Sequence, residues 1–117
     1  MHELSIAMAL VRQLELLCQP HPQATVQTAR VTIGPLAGVE GHLLQQAFPL
    51  AAAGSCVENC QLILTPSPVR ILCPACQLES EVVVNRLSCP ACGHWQTKLL
   101  SGDELILQQV VLNQESD

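Results

Sequence analysis

The 117-residue sequence is nearly half apolar and only 13% charged, which suits one ordinary domain, or one with a small inserted module, and excludes a disordered chain. Its formal net charge of -5 argues against a general nucleic-acid binder, because so acidic a surface repels a polyphosphate backbone. No basic stretch and apolar run open the chain, and no run nears the roughly 18 apolar residues that span a membrane, so a cytoplasmic protein without a membrane partner is expected.

Phe48 and Trp95 are the only aromatics, so the core must come from Leu, Ile, Val and Ala. Leu4, Ala7, Met8, Val11, Leu14 and Cys18 recur at three- and four-residue steps and predict an amphipathic helix over 4–18. Ile6, Leu10 and Leu17 widen its apolar stripe, and Pro20 and Pro22 end it. Thr25 to Ile33 alternates as a strand, stopped by Gly34-Pro35. Val39 to Ala53 fits a second helix with Leu43, Leu44, Ala47 and Phe48 on its apolar face. Pro49 should kink or shorten it, and Gly54 should stop it. Gln61 to Thr65 is a second strand. Pro66 and Pro68 hold the next segment extended as a linker. After a turn at Ser101-Gly102-Asp103, Glu104 to Leu112 is a third strand.

This order predicts an α+β fold, with two helices on a small three-stranded mixed sheet. Residues 1–66 and 103–117 form the body, and a zinc-ribbon-like four-cysteine module, 67–102, is inserted between its last strands. The segments 65–68 and 101–103 are expected to act as hinges with few contacts.

Between the hinges lie Cys73-Pro74-Ala75-Cys76 and, twelve residues on, Cys89-Pro90-Ala91-Cys92-Gly93. Two residues between cysteines let both sulfurs reach one ion from a tight turn, and two such turns close a tetrahedral site. Gly93 supplies a positive φ for the backbone to fold under the metal. Paired spacing in a reducing compartment favours metal over disulfides. A closed four-thiolate set leaves no position for water, so Cys73, Cys76, Cys89 and Cys92 predict structural rather than catalytic zinc. His94 reads as a solvated loop histidine, with a role at the zinc site as the alternative. Trp95 is expected to plug the small module. Cys18, Cys56 and Cys60 lie outside the zinc set, and Cys56 and Cys60 read as small buried core thiols.

The other chemical feature is Met1-His2-Glu3. The α-amine of Met1, the amide nitrogens of His2 and Glu3, and the His2 imidazole can form chelate rings. Deprotonated amides give a strong in-plane field, which suits square-planar Ni(II) or Cu(II). Taken alone, the segment reads as a frayed terminus with a solvated His2 and a Glu3 that favours the helix dipole.

Together the features resemble the HypA/HybF family of hydrogenase nickel-incorporation proteins. The resemblance rests on Met1-His2-Glu3-Leu4-Ser5, on the run from Val31 to Glu40, on the four cysteines, and on Ser101-Gly102-Asp103-Glu104-Leu105. It implies a non-enzymatic nickel metallochaperone, with structural Zn(II) and transient Ni(II). His2 would be the indispensable nickel ligand, Glu3 would contribute through its amide or carboxylate, and Glu40 would lie near the nickel. The implied partners are a nickel-handling maturation GTPase and the nickel–iron hydrogenase large subunit, with a homodimer as a further option. The rival reading is a zinc-ribbon adaptor or nucleic-acid-binding module, which should carry a basic stripe that this chain lacks. A thiol redox enzyme needs a single CxxC opening a helix, and no helical pattern follows either pair here.

Overall fold

A computed structural model describes residues 2–114. Two helices and six strands follow one another as α1 (Glu3–Cys18), β1 (Ala24–Ile33), α2 (Gly41–Ala52), β2 (Gln61–Pro66), β3 (Val69–Leu72), β4 (Glu79–Val82), β5 (Lys98–Ser101) and β6 (Leu105–Gln114). The class is α+β, as expected, but there are two three-stranded sheets, ordered β2-β1-β6 and β4-β3-β5. The second sheet lies in the cysteine module, whose short strands carry too little alternation to read as such. In it β3 pairs antiparallel with both neighbours, with Arg70 opposite Glu81 and Ile71 opposite Leu99.

The chain divides into two compact units. The first comprises the described parts of Met1–Val31, Val39–Thr65 and Leu107–Asp117. Its core joins Ala7, Leu10, Val11, Leu14 and Cys18 of α1 to Leu44, Phe48 and Ala52 of α2, which packs on α1. Val26, Ala29, Val31, Val57 and Leu62 complete it. Leu4, Met8 and Leu17, expected on the buried stripe of α1, are about half exposed, whereas Glu3 is buried. The buried set 3, 7, 10, 11, 14, 18 also follows three- and four-residue steps and keeps Ala7, Val11, Leu14 and Cys18 of the expected stripe, so the buried face is tilted only toward Glu3 and Leu10. α2 continues through Pro49 to Ala52. The missing N–H removes one bond near the helix end, where little helix remains to be broken. Gln45 ties α2 to the sheet by donating from Nε2 to the Leu62 carbonyl at 2.8 Å.

The second unit is Thr32–Gly38 with Pro66–Ile106. Its centre holds Val69, Ile71, Cys73 and Cys89. Thr32–Gly38 belongs here because its backbone is stitched to the segment before β6. The Gly34 N–H donates to the Glu104 carbonyl at 2.8 Å and the Leu36 N–H to the Gly102 carbonyl at 2.7 Å. A Cβ on Gly34 would lie 2.1 Å from the Gly102 oxygen, so only glycine permits this approach.

The proline segment is no loosely held strap. Ser67 is buried and its N–H donates to the Ile33 carbonyl at 3.0 Å, while the Ser101 hydroxyl donates to the Pro68 carbonyl at 2.8 Å. Trp95 is no plug either, being 74% exposed. The interior it was expected to fill is occupied by Val69, Ile71 and the cysteine sulfurs.

Candidate metal centres

The four predicted zinc ligands converge. One sulfur from each of Cys73, Cys76, Cys89 and Cys92 lies within 4.8 Å of every other. The pairs Cys73–Cys92 and Cys76–Cys89 are 3.5 and 3.6 Å apart. A tetrahedron with Zn–S bonds of about 2.3 Å has edges of about 3.8 Å, so the four thiols fit zinc.

The two turns that present them are built alike. The Gln77 N–H donates to the Cys73 carbonyl at 2.7 Å, and the Gly93 N–H to the Cys89 carbonyl at 2.8 Å. The Cys73 N–H donates to the Leu78 carbonyl, and the Cys89 N–H to the His94 carbonyl, both at 2.9 Å. The residue after each second cysteine takes a positive φ, 58° at Gln77 and 76° at Gly93. Gly93 was legible as that pivot, but Gln77 was not, because nothing about a glutamine announces a left-handed backbone.

The N–H groups of Leu78 and His94 point at the sulfurs of Cys76 and Cys92. His94 thus serves the site through its backbone. The amides of Cys92 and Ala91 hold the Cys89 thiol down to about 7. Cys76 is pushed up to about 12: the Leu78 N–H lowers it, but the adjoining Cys89 thiol, burial and the other two thiols outweigh that amide. Four sulfurs this close cannot all ionise without a cation among them.

In the first unit, the start of α1 meets the start of α2. His2 is the N-cap of α1 and Glu40 the N-cap of α2. Oε2 of Glu3 lies 3.9 Å from His2 Nε2 and accepts from the Glu40 backbone N–H at 3.3 Å. The Glu40 amide, then its own amide, then the adjacent His2 hold the Glu3 carboxyl below its ordinary value, against a smaller opposing effect of burial. Glu40, 37 residues from Glu3 in the chain, is thereby brought to the predicted nickel-site pair His2 and Glu3. Met1, the fourth, lies outside the described residues.

Sequence reasoning passed over His42, whose Nε2 is 3.7 Å from Glu40 Oε2. The signal was a Glu-x-His spacing at a helix start.

Of the remaining cysteines, Cys18 is buried, while Cys56 and Cys60 are only half-buried. The two sit in or beside the turns after α2, where Val57 takes the interior position instead. Burial, with a hydrogen bond to the Cys56 thiol, pushes Cys18 up to about 11. Among the described residues, only the four ribbon cysteines are close enough together to hold a metal by three or more side chains.

A closed four-thiolate ribbon, joined to an α+β unit with a histidine–carboxylate cluster at two helix starts, defines a metal-handling protein with a structural metal. Residues 1–112 match the family described as hydrogenase/urease nickel incorporation, metallochaperone, HypA. The chain belongs to this family. The hydrogenase maturation factor HypA of Nitrosospira multiformis is 44% identical over 112 residues, covering 96% of this chain and 97% of its own. That of Streptomyces avermitilis is 40% identical, covering 94% of this chain and 86% of its own. The solution structure of the Ni metallochaperone HypA from Helicobacter pylori shares the fold, with a TM-score of 0.71 at 22% identity over 98% of this chain and all of that one.

The protein is therefore a nickel-incorporation metallochaperone of hydrogenase maturation, working among other maturation factors, with structural zinc and nickel as cargo. Such a role calls for no catalytic chemistry. Among the described residues, no helix is long and apolar enough to cross a membrane.

Proposed function

We propose that the chain takes up one Ni(II) at Met1-His2-Glu3 and helps insert it into the nickel–iron hydrogenase large subunit, together with a nickel-handling GTPase, in the cytoplasm. The observation that carries this reading is the Glu3 carboxylate, set between the His2 imidazole and the Glu40 amide. In the bound state four nitrogens ring the nickel: the α-amine, the amides of His2 and Glu3, and the His2 imidazole. Geometry separates the two metals. Nickel prefers a square plane of nitrogen when deprotonated amides are offered, while zinc takes the tetrahedral sulfurs. Glu40 acts from outside the plane. A homodimer is compatible with this scheme and is not required by it.

Residues 1–66 with 103–117 serve as the nickel-binding part and 67–102 as the zinc-binding part. Cys73, Cys76, Cys89 and Cys92 hold zinc, which contributes folding free energy to the ribbon when bound. The rival, a ribbon adaptor without nickel function, would leave the His2–Glu3–Glu40 arrangement without a purpose.

The reading is tested by nickel absorption on untagged protein with zinc loaded. A low-spin square-planar band at one nickel per chain supports it. An N-terminal extension, which removes the free amine, should weaken that band or change it. An extended protein with the same band and affinity would overturn the terminal site.

A further inference from the structure

The two helices of the first unit are joined at both ends. At their starts, Glu3 accepts the Glu40 amide. At their far ends, Cys18 is the last residue of α1, and Cys56 lies just beyond the end of α2. The turn that carries Cys56 is firmly held. The Ser55 hydroxyl donates to the Ala52 carbonyl at 2.6 Å and accepts the Val57 N–H at 3.2 Å, and Val57 is fully buried. The Cys56 carbonyl accepts the Val26 N–H of β1 at 2.9 Å. The Cys18 carbonyl accepts the His21 N–H at 2.8 Å, in the turn that leads into the same strand. Both cysteine backbones are thus fixed around the start of β1, and the two thiols are in hydrogen-bond contact.

Neither thiol belongs to the zinc ribbon or to the carboxylate cluster at the helix starts. Cys60, the third thiol of this region, does not gather with them into a three-ligand metal site. The pair is also unequal. Cys18 is buried, whereas Cys56 is only half-buried and open to solvent. Burial first, then the Cys56 hydrogen bond, pushes Cys18 up to about 11, so it remains a thiol at neutral pH. An accessible sulfur with a buried sulfur already in contact behind it is the arrangement that thiol–disulfide exchange needs.

We propose that Cys56 and Cys18 form an exchange site for small-molecule disulfides, which closes a reversible bond between the far ends of α1 and α2. The Cys56 sulfur loses its proton and attacks one sulfur of the small disulfide. That S–S bond breaks, and one small thiolate leaves and takes up a proton. The Cys18 sulfur then attacks Cys56 Sγ, the mixed S–S bond breaks, and the second small thiolate leaves with the Cys18 proton. Two protein thiols are oxidised, and one small disulfide is reduced to two thiols. A sulfur of high pKa is a strong nucleophile once its proton is taken, and this one is already in contact, so the mixed disulfide does not accumulate. In a reducing compartment such a bond is transient and follows the ratio of small disulfide to thiol.

The experiment treats the zinc-loaded full-length chain with glutathione disulfide, then counts thiols by alkylation in denaturant with a chelator and maps the bonds by mass spectrometry. Digestion with trypsin and a glutamate-specific protease cuts at Glu58, between Cys56 and Cys60. In the wild type the thiol count should fall by two from seven, with the Cys18 and Cys56 peptides linked and no glutathione retained. In Cys18→Ala, whose small apolar side chain suits the buried position, the reaction should stop halfway, with one glutathione held on Cys56. Cys60→Ser should form the Cys18–Cys56 bond at the wild-type rate. A wild type that kept all its thiols would overturn the proposal. So would a bond from Cys56 to Cys60, or a Cys18→Ala protein that took up no glutathione.

Discussion

The carboxylate of Glu3 accepts the backbone N–H of Glu40, joining the first residue of α1 to the N-cap of α2. A negative charge at two helix starts is favourable, because both present unpaired N–H groups. The same contact holds the Glu3 carboxyl below its ordinary value of 4.5. The ionised form is thus bound more tightly in the folded chain. Its stabilisation is present above the ordinary value and is lost as pH falls through the lower folded one. Glu3→Gln keeps an oxygen for the Glu40 amide but loses the charge. Its urea midpoint should lie below that of the wild type at pH 7, and the gap should close as pH is lowered from the ordinary value through the lower folded one. A gap independent of pH would contradict the charge argument.

Gly34 and Gly38 should respond differently to alanine. At Gly34 the new Cβ would meet the Gly102 backbone, which cannot swing aside, so the cost should reach about 3 kcal/mol. At Gly38 the φ is +75° and nothing lies within 4 Å, so the cost is the left-handed backbone alone, about 1 kcal/mol. Chemical denaturation of both variants, zinc-loaded, checks the order.

Gln77 occupies the position that Gly93 occupies in the second turn, with a similar positive φ. Gln77→Gly should therefore stabilise the ribbon by about 0.5–1 kcal/mol, and Gly93→Ala should cost about 1 kcal/mol. Zinc competition against a chelator of known affinity, with thermal melting, reads both. A weaker site in Gln77→Gly would show that the glutamine side chain itself matters.

Zinc binding should release protons. With Cys76 pushed up to about 12, that thiol is protonated at neutral pH without metal, and Cys89, near 7, is about half protonated. Both must ionise to hold zinc, so affinity falls as pH falls, and more steeply below 7. Calorimetry in buffers of different ionisation heat should give more than one proton per zinc at pH 7. Removing zinc, or Cys73→Ser, should loosen 70–98 while α1 and α2 persist. Zinc uptake without proton release would refute this picture of the apo site.

Much of this was readable from residue order, and the rest was hidden for physical reasons. Both helices, three of the strands and the four thiols follow from periodicity and spacing. The edge of the buried face of α1 did not, because periodicity leaves the margins of a wide stripe open, and only packing against α2 buries Glu3 while leaving Leu4, Met8 and Leu17 half exposed. β3, β4 and β5 are four residues each, too short to show a pattern. Trp95 was misjudged because apolar size suggests burial, whereas Val69, Ile71, Cys73 and Cys89 already fill that interior. The closeness of Glu3 and Glu40 is a tertiary fact, 37 residues apart in the chain.

The central claim is that nickel and zinc occupy separate sites chosen by geometry. The direct measurement is nickel titration of untagged, zinc-loaded wild type and His2→Ala, with both metals counted. The account predicts one nickel on the wild type, none held tightly on His2→Ala, and one zinc on each. Wild-type nickel should also weaken as pH drops, because protons compete with the metal for the nitrogen donors. A His2→Ala protein that still took up one nickel with wild-type affinity, or lost zinc as nickel entered, would contradict it.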